Sequence, residues 1–249
     1  MEVIYIHIDI KLTTDNDEIV LPIHYNYIVQ SAIYNSISDE VADFLHNTGY
    51  STEKRTFKLF SFSQLNGSFR LYRKDGKIKF YSPINLTISS PIDEFCETLV
   101  NTLLTKGYMQ FLNYDLSIEH INLRRVRAGK NEVRIKTLSP IVVYSTLLKA
   151  DGNKYTCYFQ PGEPKFEELI LGNLLRKYKA LYKDDFIVDY FNIHPISKIK
   201  MHIIKYKSIV IKAYSGCMKV SAPKELIHLM LDCGLGGKNS QGFGCIDIL

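Results

Sequence analysis

Cysteine is scarce and never closely spaced: Cys96, Cys157, Cys217, Cys233 and Cys245 are scattered, odd in number and contain no C-x-x-C pair. That argues against a disulfide framework and a structural zinc site, and fits a reducing compartment. No apolar run approaches the eighteen or so residues of a membrane span. Met1 is followed by Glu2 and an alternating segment, where a signal peptide would need a basic start and a continuous apolar stretch. The expected location is therefore the cytoplasm, with no membrane contact. A long disordered tract is also missing, since 46% of the 249 residues are hydrophobic and 23% charged. No proline- or glycine-rich linker divides the chain.

What is present is a modest excess of positive charge, unevenly placed. The formal charge is +5, from 31 Lys and Arg against 26 Asp and Glu. Residues 70–79, 124–136 and 196–212 are locally cationic, the last through Lys198, Lys200, Lys205, Lys207 and Lys212. Clustered positive charge attracts a polyanion such as RNA with an affinity that falls as salt rises. Solvated strand faces are also often rich in lysine, so charge by itself leaves both readings open.

The hydrophobic period gives the architecture. Residues 3–12 alternate strictly, with Val3, Tyr5, His7, Asp9 and Lys11 on one side and Ile4, Ile6, Ile8, Ile10 and Leu12 on the other, a strand buried on one face. Ile28, Ala32, Ile33, Ile37, Val41, Phe44 and Leu45 recur at helical spacing, so residues 25–46 are helical over most of their length. Strands follow at 57–65, in a basic hairpin at 69–81 turning at Asp75-Gly76, and at 84–89. A helix over 92–104 closes at Gly107, and a strand lies near 111–117. This is the β-α-β-β-α-β ferredoxin-like plan.

The second half repeats it loosely, with strands at 118–126, 134–144 and 154–159 and a helix from Pro164 to Lys183. Strands at 199–206 and 209–214, a helix over 223–233 and a strand at 245–249 complete it. The expected fold is α+β, two tandem ferredoxin-like domains at 1–117 and 118–249.

Residues 234–244 read G-L-G-G-K-N-S-Q-G-F-G, five glycines between a helix and a terminal strand. Such a cluster, with Lys238, Asn239, Ser240 and Gln241, can wrap a phosphate, or can simply cap a helix and turn. The familiar nucleotide signatures fail: a Walker A loop would need glycine at Asp232, and G-x-G-x-x-G would need it at Asn239.

This segment closely resembles the glycine-rich loop of the RAMP superfamily. Residues 21–34 (L-P-I-H-Y-N-Y-I-V-Q-S-A-I-Y), 44–50 (F-L-H-N-T-G-Y) and 57–65 (F-K-L-F-S-F-S-Q-L) resemble, in order, the start of the sixth CRISPR-associated protein family, the repeat-processing endoribonucleases. The resemblance spans most of the chain, although residues 116–199 contribute little. It implies two ferredoxin-like domains that bind the repeat of a precursor CRISPR RNA and cut it once without a metal. In that family the ribose 2′-hydroxyl attacks the scissile phosphate, leaving a 2′,3′-cyclic phosphate and a 5′-hydroxyl, and the resemblance implies the same here. The paired aromatics of the classic RNA-recognition signature are not visible, so base stacking on the open sheet is not expected.

Such chemistry needs proton transfer and positive charge at the phosphate. Histidine suits the proton steps. Among seven histidines, His46 lies in the family-like F-L-H-N-T-G-Y segment, at a helix end that favours imidazolium. The family commonly adds a downstream lysine, for which Lys54 and Lys58 compete, and a tyrosine from the first helix, best matched by Tyr34. Twelve residues in a straight helix would separate Tyr34 from His46 by about 18 Å, so they can share one phosphate only if the helix breaks. Ser38, with Asp39 and Glu40 after it, offers the N-cap of a second helix. His24 is a further candidate as base.

The expected RNA contacts are Arg70, Arg73, Lys74 and Lys77 on the hairpin and Arg124, Arg125, Arg127 and Lys130 at the domain junction. The loop adds Gly234, Gly236, Gly237, Lys238, Asn239, Gln241, Gly242 and Gly244. No carboxylate or His/Cys set at ligand spacing lies near these residues, so neither metal nor cofactor is expected. CRISPR repeat RNA is the expected partner, with a homodimer and hand-over of product to a CRISPR effector complex as further expectations. A catalytically silent RNA-binding subunit of the same superfamily would share the fold and loop but would not need His46.

Overall fold

The computed structural model describes residues 6–53, 55–148 and 152–249. Strand β1 (Ile6–Thr13) keeps the alternation seen in the sequence. Ile8, Ile10 and Leu12 are buried in the first core, each worth roughly 1.5–3 kcal/mol of apolar transfer. After β2 (Glu18–Pro22) come α1 (Asn26–Tyr34) and α2 (Asp39–Asp43), which runs into a single π turn, Phe44–Thr48. Short strands β3 (Tyr50–Thr52), β4 (Arg55–Phe57) and β5 (Ser61–Phe62) lead to the hairpin β6 (Phe69–Tyr72) and β7 (Lys77–Tyr81). Then follow β8 (Ile84–Ser90), α3 (Asp93–Lys106), β9 (Tyr108–Phe111) and β10 (Tyr114–Arg124).

The main sheet has the order β5-β8-β1-β10-β9. Without the edge strand β9, this is the ferredoxin-like order, with the first strand central and its neighbours antiparallel. Strand β2 pairs with β7 in a separate three-stranded sheet.

The division between domains falls after Arg124, not at 117/118. The segment expected to open the second domain continues β10, and residues 118–124 pair with β1. Val126 and Ala128 are the first side chains of the second core.

That second domain runs β11 (Glu132–Thr137), β12 (Tyr144–Leu148), β13 (Lys154–Tyr158), α4 (Pro164–Tyr182), β14 (Asn192–Pro195), β15 (Lys200–Tyr206), β16 (Ile209–Ser215), β17 (Cys217–Ser221), α5 (Lys224–Cys233) and β18 (Ile246–Ile248). Its sheet order, β14-β17-β11-β18, is again ferredoxin-like. The strands expected at 199–206 and 209–214 form a separate hairpin, and the shorter β14 and β17 complete the sheet. The strand expected at 134–144 stops at Thr137, because Pro140 has no N–H for a ladder.

The domains are joined by hydrogen bonds and by an apolar cluster of Leu59, Leu229 and Cys233. His7, buried on the other face of β1, donates from Nε2 to the Leu231 carbonyl at 3.1 Å. No helix among the described residues is long and apolar enough to cross a membrane.

Candidate active site

The helix breaks where the sequence allows it. Helix α1 ends at Tyr34, and Ser36 Oγ turns back to the Ala32 carbonyl at 2.8 Å. Ser38 then N-caps α2, accepting from the Val41 N–H at 3.4 Å, with Asp39 and Glu40 in the first turn. The following π turn closes on Gly49, whose N–H donates to the Phe44 carbonyl at 2.7 Å. Its φ of +62° favours glycine, and an added Cβ would lie 2.8 Å from the Phe57 carbonyl oxygen. Single π turns recur at functional sites because they re-aim one side chain. Here that side chain is the exposed His46.

As a result, Tyr34 and His46 line one open cleft of about 500 Å3, together with Gln30, Lys58, Lys207, Ser240 and Gln241. His46 Nδ1 lies 2.9 Å from Asn47 Oδ1, leaving Nε2 as the ring nitrogen without this contact. Lys58 Nζ donates to the His46 carbonyl at 3.2 Å, and burial lowers the Lys58 pKa. Tyr34 packs edge-to-face on Phe60, and burial, reinforced by Tyr206, pushes its pKa up to about 12. It is therefore a neutral phenol at physiological pH, able to donate a hydrogen bond. Lys58 is the lysine the structure brings to His46. Lys54 lies outside the described residues.

The far wall is the glycine segment, and its shape comes from side chains on both domains. Asn26, at the start of α1, donates from Nδ2 to the carbonyls of Gln241 at 2.9 Å and Gly242 at 3.1 Å. The fully buried Lys177 of α4 donates to the Gly234 carbonyl at 2.6 Å and to that of Cys233 at 3.3 Å. Gly236 and Gly242 have φ of +68° and +84°. A Cβ on Gly236 would collide with the Val142 carbonyl, and one on Gly242 would lie 2.6 Å from both Asn26 Nδ2 and the Phe62 ring. The glycines are needed for close approach of the loop to Ile141 and Val142, which precede β12, and to α1.

The comparisons with known proteins agree with this architecture. Residues 124–248 match the family described as CRISPR associated protein Cas6, C-terminal, and residues 20–122 match CRISPR-associated protein Cas6, N-terminal. The chain is 32% identical over 243 residues to CRISPR-associated endoribonuclease Cas6 1 of Methanocaldococcus jannaschii, covering 96% of this chain and 91% of that protein. The chain belongs to the Cas6 family. A solved structure described as CRISPR associated protein Cas6 superposes with a TM-score of 0.79 at 30% identity, covering 98% of this chain and 99% of that one. Another, described as a RAMP protein binding different RNA substrates, has a TM-score of 0.81 at 20% identity over 98% of this chain and 99% of that one, and bears on the fold alone.

Within this Cas6-family fold several expected contacts lie elsewhere. Arg124 is engaged in structure: its guanidinium bonds to Asp9 and, at 3.2 Å, to Asp247 of β18, tying the two domains together. Burial by itself would raise the Asp9 pKa, but the hydrogen bonds from Arg124 and Thr87 hold it below the usual carboxylate value. Asn239 is buried, and its Nδ2 donates to the carbonyls of Leu235 and Phe243, both at 3.0 Å, so it shapes the loop from within. His24 lines a different cleft of about 470 Å3 with Arg73 and His202, away from His46. Arg70, Lys74 and Lys77 are exposed on the β6–β7 hairpin, and Arg125, Arg127 and Lys130 are exposed beyond β10; none of these lines the His46 cleft.

Sequence reasoning passed over Gln30, which completes the cleft with Ser240 of the loop and Lys207 of the cationic stretch, and Asn26 and Lys177, which build its wall. Gln30 stands one helical turn before Tyr34, a spacing that places both on one face of α1. Nothing in the sequence distinguishes Lys207 from the other lysines of 196–212. Among the described residues, no group of three or more His, Cys, Asp or Glu is placed to hold a metal ion.

Proposed function

We propose that the protein is an endoribonuclease that cuts precursor CRISPR RNA within its repeats, with the scissile phosphate held between the π turn and the glycine loop. The observation that carries this reading is the convergence of Tyr34, His46 and Lys58 on one cleft, opposite Gln241 of the loop. Membership of the Cas6 family supports it, as does the endoribonuclease activity in the name of the Methanocaldococcus relative.

In this reading the ribose 2′-hydroxyl attacks the adjacent phosphorus and the P–O5′ bond breaks. His46 gives a proton to the departing 5′-oxygen, leaving a 5′-hydroxyl and a 2′,3′-cyclic phosphate. Lys58 sets positive charge beside the phosphorane, where a fixed cation is worth most. The Tyr34 phenol donates a hydrogen bond to the reacting phosphate or ribose and so fixes its orientation. The first domain carries the reactive groups and the second carries the glycine loop that holds the RNA, with Gly236, Gly237, Lys238 and Gln241 lining the cleft along the domain seam. Arg70, Arg73, Lys74, Lys77, Arg125, Arg127 and Lys130 supply outlying phosphate contacts. A homodimer and hand-over of product to a CRISPR effector complex complete the reading.

The test is cleavage of the cognate repeat RNA in EDTA by wild type and His46→Ala, with binding measured in parallel and the new ends analysed. Cleavage by wild type with a cyclic phosphate product, and equal binding without cleavage by the variant, is the expected result. Binding without cleavage by wild type would instead identify a silent RNA-binding subunit, and equal cleavage by the variant would move the reaction elsewhere.

A further inference from the structure

Next to the His46 cleft is a second one of about 460 Å3, which shares Lys58, Ser240 and Gln241 with it and continues along the seam between the domains. Its floor opens into a recess of about 40 Å3 where α4 of the second domain meets β4 of the first. Three polar side chains line that recess: Arg55 on β4, and Asn173 and Arg176 one turn apart on α4. Arg176 Nε and Asn173 Oδ1 are both buried without a hydrogen-bond partner.

Two features of this arrangement are costly in the free protein. Arg55 and Arg176 carry like charge across a seam and form no ion pair among the described residues, and burial and the Arg55 charge both lower the Arg176 pKa. A buried donor and a buried acceptor left unmade each cost about 1–3 kcal/mol. An anion without an O–H, such as sulfate, would answer only half of this pattern, because it accepts from the guanidinium but has nothing to donate to Asn173 Oδ1. A nucleotide answers both halves: its phosphate oxygens accept from the arginines, and a ribose hydroxyl or base N–H donates to the amide oxygen. The ring of Tyr144, with Lys238 Nζ 5.8 Å from its centroid, flanks the same opening and offers an aromatic surface to a base.

We propose that Arg55, Asn173 and Arg176 form the polar end of a nucleotide subsite in the 460 Å3 cleft, which holds the residue of the RNA strand adjoining the scissile phosphate. It rests on the reading of the His46 cleft as the cleavage site, and extends it to a residue set drawn from both domains. Binding RNA there bridges β4 and α4, so the strand itself neutralises the arginine pair across the seam.

The experiment measures repeat-RNA affinity as a function of salt for wild type, Arg55→Gln and the double variant Arg55→Gln/Arg176→Gln, with cleavage at saturating RNA recorded for each. Arg55 is exposed on a short strand, so its variant folds even if the double variant does not. The expected result is binding about tenfold weaker at 0.1 M salt, with the slope of log K against log salt reduced by about 0.7 for each phosphate that is no longer neutralised. Unchanged affinity and slope in Arg55→Gln and in the double variant, while wild type binds and cleaves, would overturn the subsite alone. Absence of RNA binding by wild type would overturn the proposed function and this inference with it.

Discussion

Lys58 Nζ donates to the main-chain oxygen of His46 at 3.2 Å, so the cation of the cleft is also a strut of the turn that carries the histidine. A lysine on the strand side and a histidine on the helix side are thereby fixed to each other across twelve residues of chain.

Replacing Lys58 with alanine is expected to remove both the charge and the strut, lowering single-turnover cleavage by roughly 10²–10³-fold. Lys58→Arg keeps the charge and should recover part of the rate. RNA affinity measured alongside should fall much less than the rate, and an equal fall in both would assign Lys58 to binding only.

Tyr34→Phe preserves the ring contact with Phe60 and deletes only the hydroxyl. A loss of about tenfold or more in cleavage is expected with the melting temperature little changed. Because the Tyr34 pKa is pushed up to about 12, the phenol does not ionise between pH 7 and 10. The wild-type rate should therefore show no tyrosine limb in that range, and a rate rise near pH 10 that disappears in Tyr34→Phe would contradict the assignment as a neutral donor.

Gly236→Ala and Gly242→Ala each force a Cβ into backbone or ring atoms at positive φ. Each is expected to destabilise the fold by about 1–3 kcal/mol in urea titrations and to weaken RNA binding, since the loop's position between Val142 and Asn26 is what the glycines allow. Gly107→Ala, also at positive φ but with open space around its Cβ site, should cost less and leave binding intact.

His7 should make stability depend on pH. Burial lowers its pKa against the opposing pull of Asp247 and Asp9, with Arg124 lowering it further. The unfolded chain, titrating near 6.5, then binds protons that the folded chain refuses. Stability from this group is complete above about pH 6.5 and is lost as pH falls below that value, by at most about 1.4 kcal/mol per pH unit. His24, His202 and His228 are lowered by burial as well and add to the same trend. Denaturation of His7→Gln between pH 7 and 5 should show a shallower slope than wild type; an identical slope would exclude His7 as a contributor.

The sequence by itself determined the local pattern. Strict alternation wrote β1, helical spacing wrote α1 and α4, and Ser38 before Asp39 and Glu40 marked the break that lets Tyr34 and His46 meet. These signals are legible because they depend on neighbours within one or two turns of chain. The same holds for the positive-φ glycines of 234–244, whose clustering is visible without knowing what they approach.

Tertiary structure decided everything that depends on which distant surface a side chain meets. Arg124 and Lys58 are both cations beside strands, yet Asp9 and Asp247 take the first into the domain junction while His46 keeps the second at the cleft. Asn239 and Gln241 are two residues apart in one loop, but only Gln241 lines the cleft with His46, because Asn239 turns inward to satisfy Leu235 and Phe243. Pairing partners in β14 and β17 were equally hidden, since strands of four and five residues carry too short a period to be read alone. Charge and periodicity are properties of the chain, whereas the partner that consumes or frees a polar group is set by folded contacts, as when Arg124 meets Asp9 and Asp247 more than a hundred residues away.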